Sequence, residues 1–185
     1  MTKAFEKFVS EISLILTQDD SPPGREAVRA KLEILLSDEH FISGYCGPEA
    51  KCGANLLFQH PSLGFQILSY IMEQPLDGGI HDHGSSWAIY GQAVKWTEMT
   101  DWLRTDDFSQ SGKADLEIAK TYRLQPGMAG IFQNGAIHSI RYPGGSRFIR
   151  ITGCNLSTIP RGRYDVRKGT VRIEQRPNFD GSENK

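Results

Sequence analysis

The sequence predicts an all-β core, a sandwich or barrel of short strands, with helices in front of it. Three observations carry that expectation. Apolar residues recur at helical spacing only in about the first 36 positions. From Leu56 onward the pattern becomes short alternating or apolar runs separated by Gly, Pro and Asn turns. Two histidines one residue apart, His81 and His83, sit in a glycine-rich approach to one of those runs.

Phe5, Phe8, Val9, Ile12, Ile15 and Leu16 follow one another at spacings of three and four, predicting an amphipathic helix. Asp19-Asp20-Ser21-Pro22-Pro23-Gly24 stops it. A second helix is expected from about Arg25 to Leu36, with Val28, Leu32, Leu35 and Leu36 inward, which completes a two-helix cap. The first clear strand is Phe65 to Met72; Ile80 to His83 and Trp87 to Trp96 follow. Residues 97–115 are polar and acidic and read as a long hairpin excursion. Strands are then expected at Leu116 to Tyr122, Ala129 to Phe132, Ile137 to Tyr142 and Arg147 to Thr152, with Gly-containing turns between them. The length of 185 residues fits one domain. Its parts would be a helical cap over 1–45, a barrel core over 55–160, and a C-terminal strand and tail over 161–185, frayed from Pro177.

Composition narrows the function classes. Hydrophobic residues make up 38% and charged residues 23%, an ordinary globular balance. The net charge of −1 argues against a nucleic-acid or membrane-surface partner, which would need a concentrated basic patch. The late arginines (Arg161, Arg163, Arg167, Arg172, Arg176) are interleaved with acids and read as a solvated edge. There is no apolar run long enough to span a membrane and no secretory signal pattern. With three unpaired-looking cysteines, Cys46, Cys52 and Cys154, a reduced cytoplasmic protein is the expectation. Cys154 reads as a small buried apolar residue.

If the Ile80–His83 stretch is a strand, His81 and His83 point the same way and offer two imidazoles to one metal ion. A third ligand would have to come from elsewhere among the five histidines, and the reading depends on whether His138, in the short apolar stretch Ala136 to Ile140, comes back to meet the pair. Three neutral imidazoles on one face leave open positions on a divalent metal. Strand parity places Ala88, Tyr90 and Gln92 inward with His83, and puts Arg150 and Thr152 together on the last core strand. Tyr70 and Tyr90 are candidates for hydrogen bonding near the metal, and Arg150 for a bidentate hold on a carboxylate. Glu98 is an alternative fourth ligand.

The histidine pattern resembles the cupin superfamily, whose fold is a double-stranded β-helix or small jelly roll. His81-Asp82-His83 matches the central pair of its first motif, G-x5-H-x-H-x3,4-E-x6-G, but the glutamate position falls on Trp87 or Ala88. Gly127, Gly135 and His138 match the second motif, G-x5-P-x-G-x2-H-x3-N, with Gln133 and Tyr142 replacing the proline and asparagine. The missing glutamate makes the site look like that of the thiol dioxygenase branch (cysteine dioxygenase and its bacterial relatives). That resemblance implies Fe(II) on His81, His83 and His138, and addition of O2 to a small thiol to give a sulfinate. Zn, Ni or Mn are possible alternative metals. This sequence departs from that branch in three ways. There is no arginine in Gly53-Ala54-Asn55-Leu56, where cysteine dioxygenase binds the substrate carboxylate. The crosslinked cysteine and tyrosine of the mammalian enzyme correspond to Ala88 and Thr152. Arg150 stands where that family has a histidine. The substrate expected is therefore a different small thiol, or another acid held by Arg150. A non-redox metal-dependent cupin (isomerase, lyase or hydrolase), a small-molecule-binding cupin without turnover, and a C–C cleaving diketone dioxygenase remain alternatives. Expected partners are a small-molecule substrate and O2, with a homodimer possible through exposed barrel edges.

Overall fold

The computed structural model describes residues 1–175. Three helices come first: α1 (Lys3–Gln18), α2 (Pro22–Leu35) and α3 (Glu39–Cys46). Eleven strands follow: β1 (Gly53–Gln59), β2 (Gln66–Met72), β3 (Leu76–Asp77), β4 (Ala88–Val94), β5 (Thr97–Arg104), β6 (Leu116–Leu124), β7 (Ala129–Phe132), β8 (Ile137–Tyr142), β9 (Ser146–Thr152), β10 (Pro160–Asp165) and β11 (Thr170–Gln175). The fraying expected from Pro177 concerns positions outside the described residues.

Strand pairing defines the architecture. Within the core β2 pairs with β9, β3 with β8, β4 with β7 and β5 with β6, every pair antiparallel. This nesting is that of one long hairpin rolled on itself, the jelly-roll order of a double-stranded β-helix. One sheet runs β1-β2-β9-β4-β7 and faces a second that runs β3-β8-β5-β6. Both sheets fill the space between them: Leu68, Tyr70, Ala88, Tyr90, Phe132 and Phe148 come from the first, Met99, Ile140 and Tyr142 from the second. The all-β core behind a helical region, expected from the sequence, is the observed fold.

The helices cover the outer face of the first sheet. Phe5, Ile12, Val28, Leu32 and Phe41 pack with Ile67, Ile89, Ile149 and Ile151, the outward residues of β2, β4 and β9. These strands are therefore buried on both faces, which explains why β2 reads as an apolar run rather than an alternation. Burying an aliphatic side chain of this kind contributes roughly 1.5–3 kcal/mol, so the cap is an integral second layer.

Five expectations need correction. The cap has three helices, because Asp38 caps α3 by accepting from the Phe41 amide at 2.7 Å and Phe41 packs its ring 5.5 Å from Phe5. Pro22 and Pro23 open α2 rather than only ending α1, as their fixed φ suits a first helical turn. Residues 97–115 are no excursion: 97–104 form β5, central in its sheet between β6 and β8. Glu98, on its outer face, meets Arg123 and Arg141, while Asp101, on the face of Met99 and the register partner of His138, meets Lys120. The C-terminal strand is a hairpin, β10–β11, in which Arg161 and Arg172 hold Glu174. Cys154 is only partly buried. Among the described residues no helix is long and apolar enough to cross a membrane.

Candidate metal centre

The Ile80–His83 segment is not a regular strand. His81 forms an isolated bridge with His138, each backbone N–H donating to the other's carbonyl at 2.9 Å. Gly78 N–H donates to Ile140 O at 2.9 Å, extending the attachment to β8. The chain then turns: Asp82 Oδ1 accepts from the Gly84 amide at 2.7 Å, and Gly84 has φ +59°. A Cβ at Gly84 would also lie 2.2 Å from Pro160 O, so glycine is required twice over. His81 and His83 end on one side through this bridge and turn rather than through strand alternation.

His138 is carried to the pair by β8. Its ring centroid lies 4.5 Å from that of His81 and 4.7 Å from that of His83. One nitrogen from each of the three lies within 4.8 Å of the others, and all three residues are buried. Metal–imidazole bonds of about 2.1 Å require nitrogens about 3 to 3.5 Å apart, inside that bound. The ring orientations fit the same purpose. His81 Nδ1 is 2.9 Å from Gly79 O and His138 Nδ1 is 3.1 Å from Ala136 O. Each carbonyl accepts from an Nδ1–H, which assigns the tautomer that presents Nε2 as a ligand atom. The Tyr90 hydroxyl lies 3.3 Å from His83 Nε2, at the edge of the ligand position. The three histidines thus form a group able to hold a metal ion.

The loops carrying these ligands are also joined to each other. Gly135 N–H donates to Gly84 O at 3.1 Å, and Asn134 Nδ2 donates to Ser85 O. Arg25 of α2 reaches the same turn, donating to Gln133 Oε1 at 3.1 Å and Asn134 Oδ1 at 2.8 Å.

Tyr70, Tyr90 and Arg150 lie in the same lumen. A wall of rings begins at His138, which stacks on Phe132 at 3.9 Å. It continues through Tyr90 (5.8 Å from Phe132), Phe148 (6.0 Å from Tyr90) and Tyr70 (4.9 Å from Phe148). The Arg150 guanidinium sits 4.6 Å over the Tyr70 ring and is buried. Arg150 is the cross-strand partner of Tyr90. Ala88 and Thr152 are likewise cross-strand partners, and neither can form a cysteine–tyrosine crosslink. Gln92 is buried but spent on structure: its Nε2 donates to Val94 O at 2.8 Å and its Oε1 accepts from Thr97 Oγ1 at 2.6 Å.

Glu98 is not placed to be a fourth ligand. It lies on the outer face of β5, where Arg123 donates to it at 2.9 Å and Arg141 grips it as well. The hydrogen bond from Arg123, together with Arg141, holds its carboxyl below the usual carboxylate range. His40 is exposed, and His60 Nδ1 accepts from the Ser62 and Leu63 amides; neither joins the cluster.

No protein-family model matches this sequence, and no curated protein matches it. Solved structures similar to it include the cupin domain of Cnp3 from Schizosaccharomyces pombe, at 14% identity, covering 58% of this chain and 66% of that one, TM-score 0.43. KdgF from Halomonas sp. is similar at 14% identity, covering 54% and 74%, TM-score 0.41. A cupin-2 domain protein from Shewanella frigidimarina is similar at 11% identity, covering 60% and 89%, TM-score 0.41. Likenesses this distant say nothing about activity; the jelly-roll assignment stands on the nested strand pairing itself.

Sequence reasoning missed Asp82. It is buried between the two ligands and faces away from them. Besides the Gly84 amide, its Oδ1 accepts from the Gly162 amide at 2.9 Å, and its Oδ2 accepts from the Tyr164 hydroxyl at 2.7 Å. Burial, reinforced by Asp82, raises the Tyr164 phenol well above the ordinary tyrosine value, so it acts as a donor. The available signal was position: an acid between two residues that must share one side needs donors of its own if it is buried.

Proposed function

We propose that this protein is an iron(II)-dependent dioxygenase that converts a small thiol bearing an acidic group to its sulfinate. The observation that carries the reading is a buried, carboxylate-free face of three imidazoles at one end of a ring-lined lumen that also holds Arg150. Iron(II) held by His81, His83 and His138 would supply open coordination positions and electrons for dioxygen, which redox-inert zinc cannot.

The overall change is thiolate plus O2 to sulfinate. Both oxygen atoms end on sulfur, sulfur loses four electrons, dioxygen gains them, and no external reductant enters. The chain's own residues bind and orient. With no carboxylate among the ligands, the positive charge of the site favours an anionic sulfur. Arg150 takes the substrate's acidic group through its two-pronged guanidinium, and its seat on Tyr70 fixes the direction of the fork. The Tyr90 hydroxyl, beside His83, donates a hydrogen bond to the reacting group. Phe132, Phe148 and the tyrosine rings keep water from the sulfur.

The test is metal analysis of the purified protein, followed by oxygen-electrode assays of the iron-loaded form with small thiols. Oxygen uptake matched one-to-one by sulfinate, and abolished in His138→Ala, is the expected result. No uptake with any thiol, alongside anaerobic turnover of the zinc- or manganese-loaded protein, would overturn it in favour of a non-redox reaction.

A further inference from the structure

The C-terminal hairpin docks on the loop that carries two of the three histidines. Tyr164 N–H donates to Ile80 O at 3.0 Å and Asp82 N–H to Gly162 O at 3.2 Å, and His81 bridges Arg163 on this side as it bridges His138 on the other. The loop is therefore gripped along both edges. Asp82 is the centre of the second grip, with acceptor oxygens for the Gly84 amide, the Gly162 amide and the Tyr164 hydroxyl.

The contact is close-fitting. A Cβ at Gly162 would lie 2.4 Å from Asp82 Oδ2 and 2.9 Å from the Tyr164 ring, so only glycine lets β10 come this near. The Asp82 carboxylate is buried, and its hydrogen bonds span both the histidine turn and the hairpin. These bonds tie it to the turn and the hairpin, so its influence on the histidines passes through the backbone of residues 81–84.

We propose that Asp82 and Tyr164 are positioning residues for the metal centre: they hold the His81–His83 turn in its ligating shape and couple metal binding to docking of the β10–β11 hairpin. The inference rests on the three histidines binding a metal, and not on the reaction proposed above. Coupling of this kind is reciprocal. If hairpin docking tightens metal binding, metal must protect the hairpin contact in return.

The probe is Co(II), titrated into metal-free protein and followed by its visible absorption, with amide hydrogen exchange measured with and without the metal. Asp82→Asn should weaken Co(II) affinity about 10- to 100-fold, the usual range for residues that support metal ligands. Tyr164→Phe should shift it in the same direction by less, and it supplies the answer if Asp82→Asn does not fold. In the wild type, Co(II) should slow exchange of the Gly162 and Tyr164 amides; in Asp82→Asn that effect should shrink. Ile12→Ala, buried under the helical layer, should lower the melting temperature without changing Co(II) affinity. Wild-type affinity in both Asp82→Asn and Tyr164→Phe overturns the proposal, as does an equal loss in Ile12→Ala. A wild-type chain that binds no Co(II) overturns the metal centre, and the proposal with it.

Discussion

If Arg150 holds the substrate's acidic group as proposed, replacing it with methionine should separate substrate recognition from folding. The guanidinium is buried in the lumen over the Tyr70 ring, the cross-strand neighbour of Tyr90. Hydrogen bonds to a charged group are worth about 1.5–3 kcal/mol, and about 1.4 kcal/mol is a factor of ten. Loss of the hold on a substrate carboxylate should therefore raise KM about 10- to 150-fold. The hold is present before and during reaction, so kcat should change little. Stability should move less: the variant loses the contacts of the guanidinium, the cation–π contact with Tyr70 (about 1–2 kcal/mol) among them, but no longer buries a charge, and a methionine stem fills similar volume. A net change within about 1 kcal/mol shifts the melting temperature by about 2–4 °C in a chain of this size. The assay compares oxygen uptake with two thiols of similar length, one carrying a carboxylate and one not. KM should rise for the first and stay put for the second. Equal loss for both thiols, or a melting temperature lowered by ten degrees or more, would refute the assignment of Arg150 to the substrate's acid.

Glu98→Gln tests the outer ion cluster. The carboxyl of Glu98 is held low by Arg123 and Arg141, so its stabilisation is full above the unfolded carboxylate pKa and fades as pH falls through the lower folded value. The variant should be less stable than wild type by under about 1 kcal/mol at pH 7, with the gap closing in acid; a gap constant down to low pH would contradict this. The cysteines should label in a fixed order. Burial pushes the Cys46 thiol up to about 12, while Cys52 is exposed. Mass spectrometry after brief alkylation at pH 8 should find Cys52 modified and Cys46 intact until the protein is unfolded, and prompt labelling of Cys46 would show the helical layer to be open.

What the sequence made legible was what depends on local period. The strands at 129–132, 137–142 and 147–152 were readable because the turns before them carry glycine, at Gly127, Gly135 and Gly145. His138 was readable because its spacing from Gly127 and Gly135 repeats a known motif. Strand β5 was not, because its acids look like a solvent loop until Arg123, Arg141 and Lys120 arrive from β6 and β8. Helix α3 was too short and too mixed to show a period; its stability comes from an aspartate cap and from Phe41 packing under α1. Asp82 was in plain view between the histidines, but its donors, Gly162 and Tyr164, are supplied by the far end of the chain.

The backbone bridge between His81 and His138 has a consequence for the order of events in folding. The chain between them contains β4, β5, β6 and β7, so the third ligand cannot arrive until the middle of the roll has closed. Contacts this distant in sequence form slowly, because much of the chain must be ordered first. A nascent chain can offer a passing ion only the His81–His83 pair, a weak two-point hold. Full affinity for a metal held by the three histidines would belong to the finished barrel alone, and metal uptake would be a timestamp for the completion of folding.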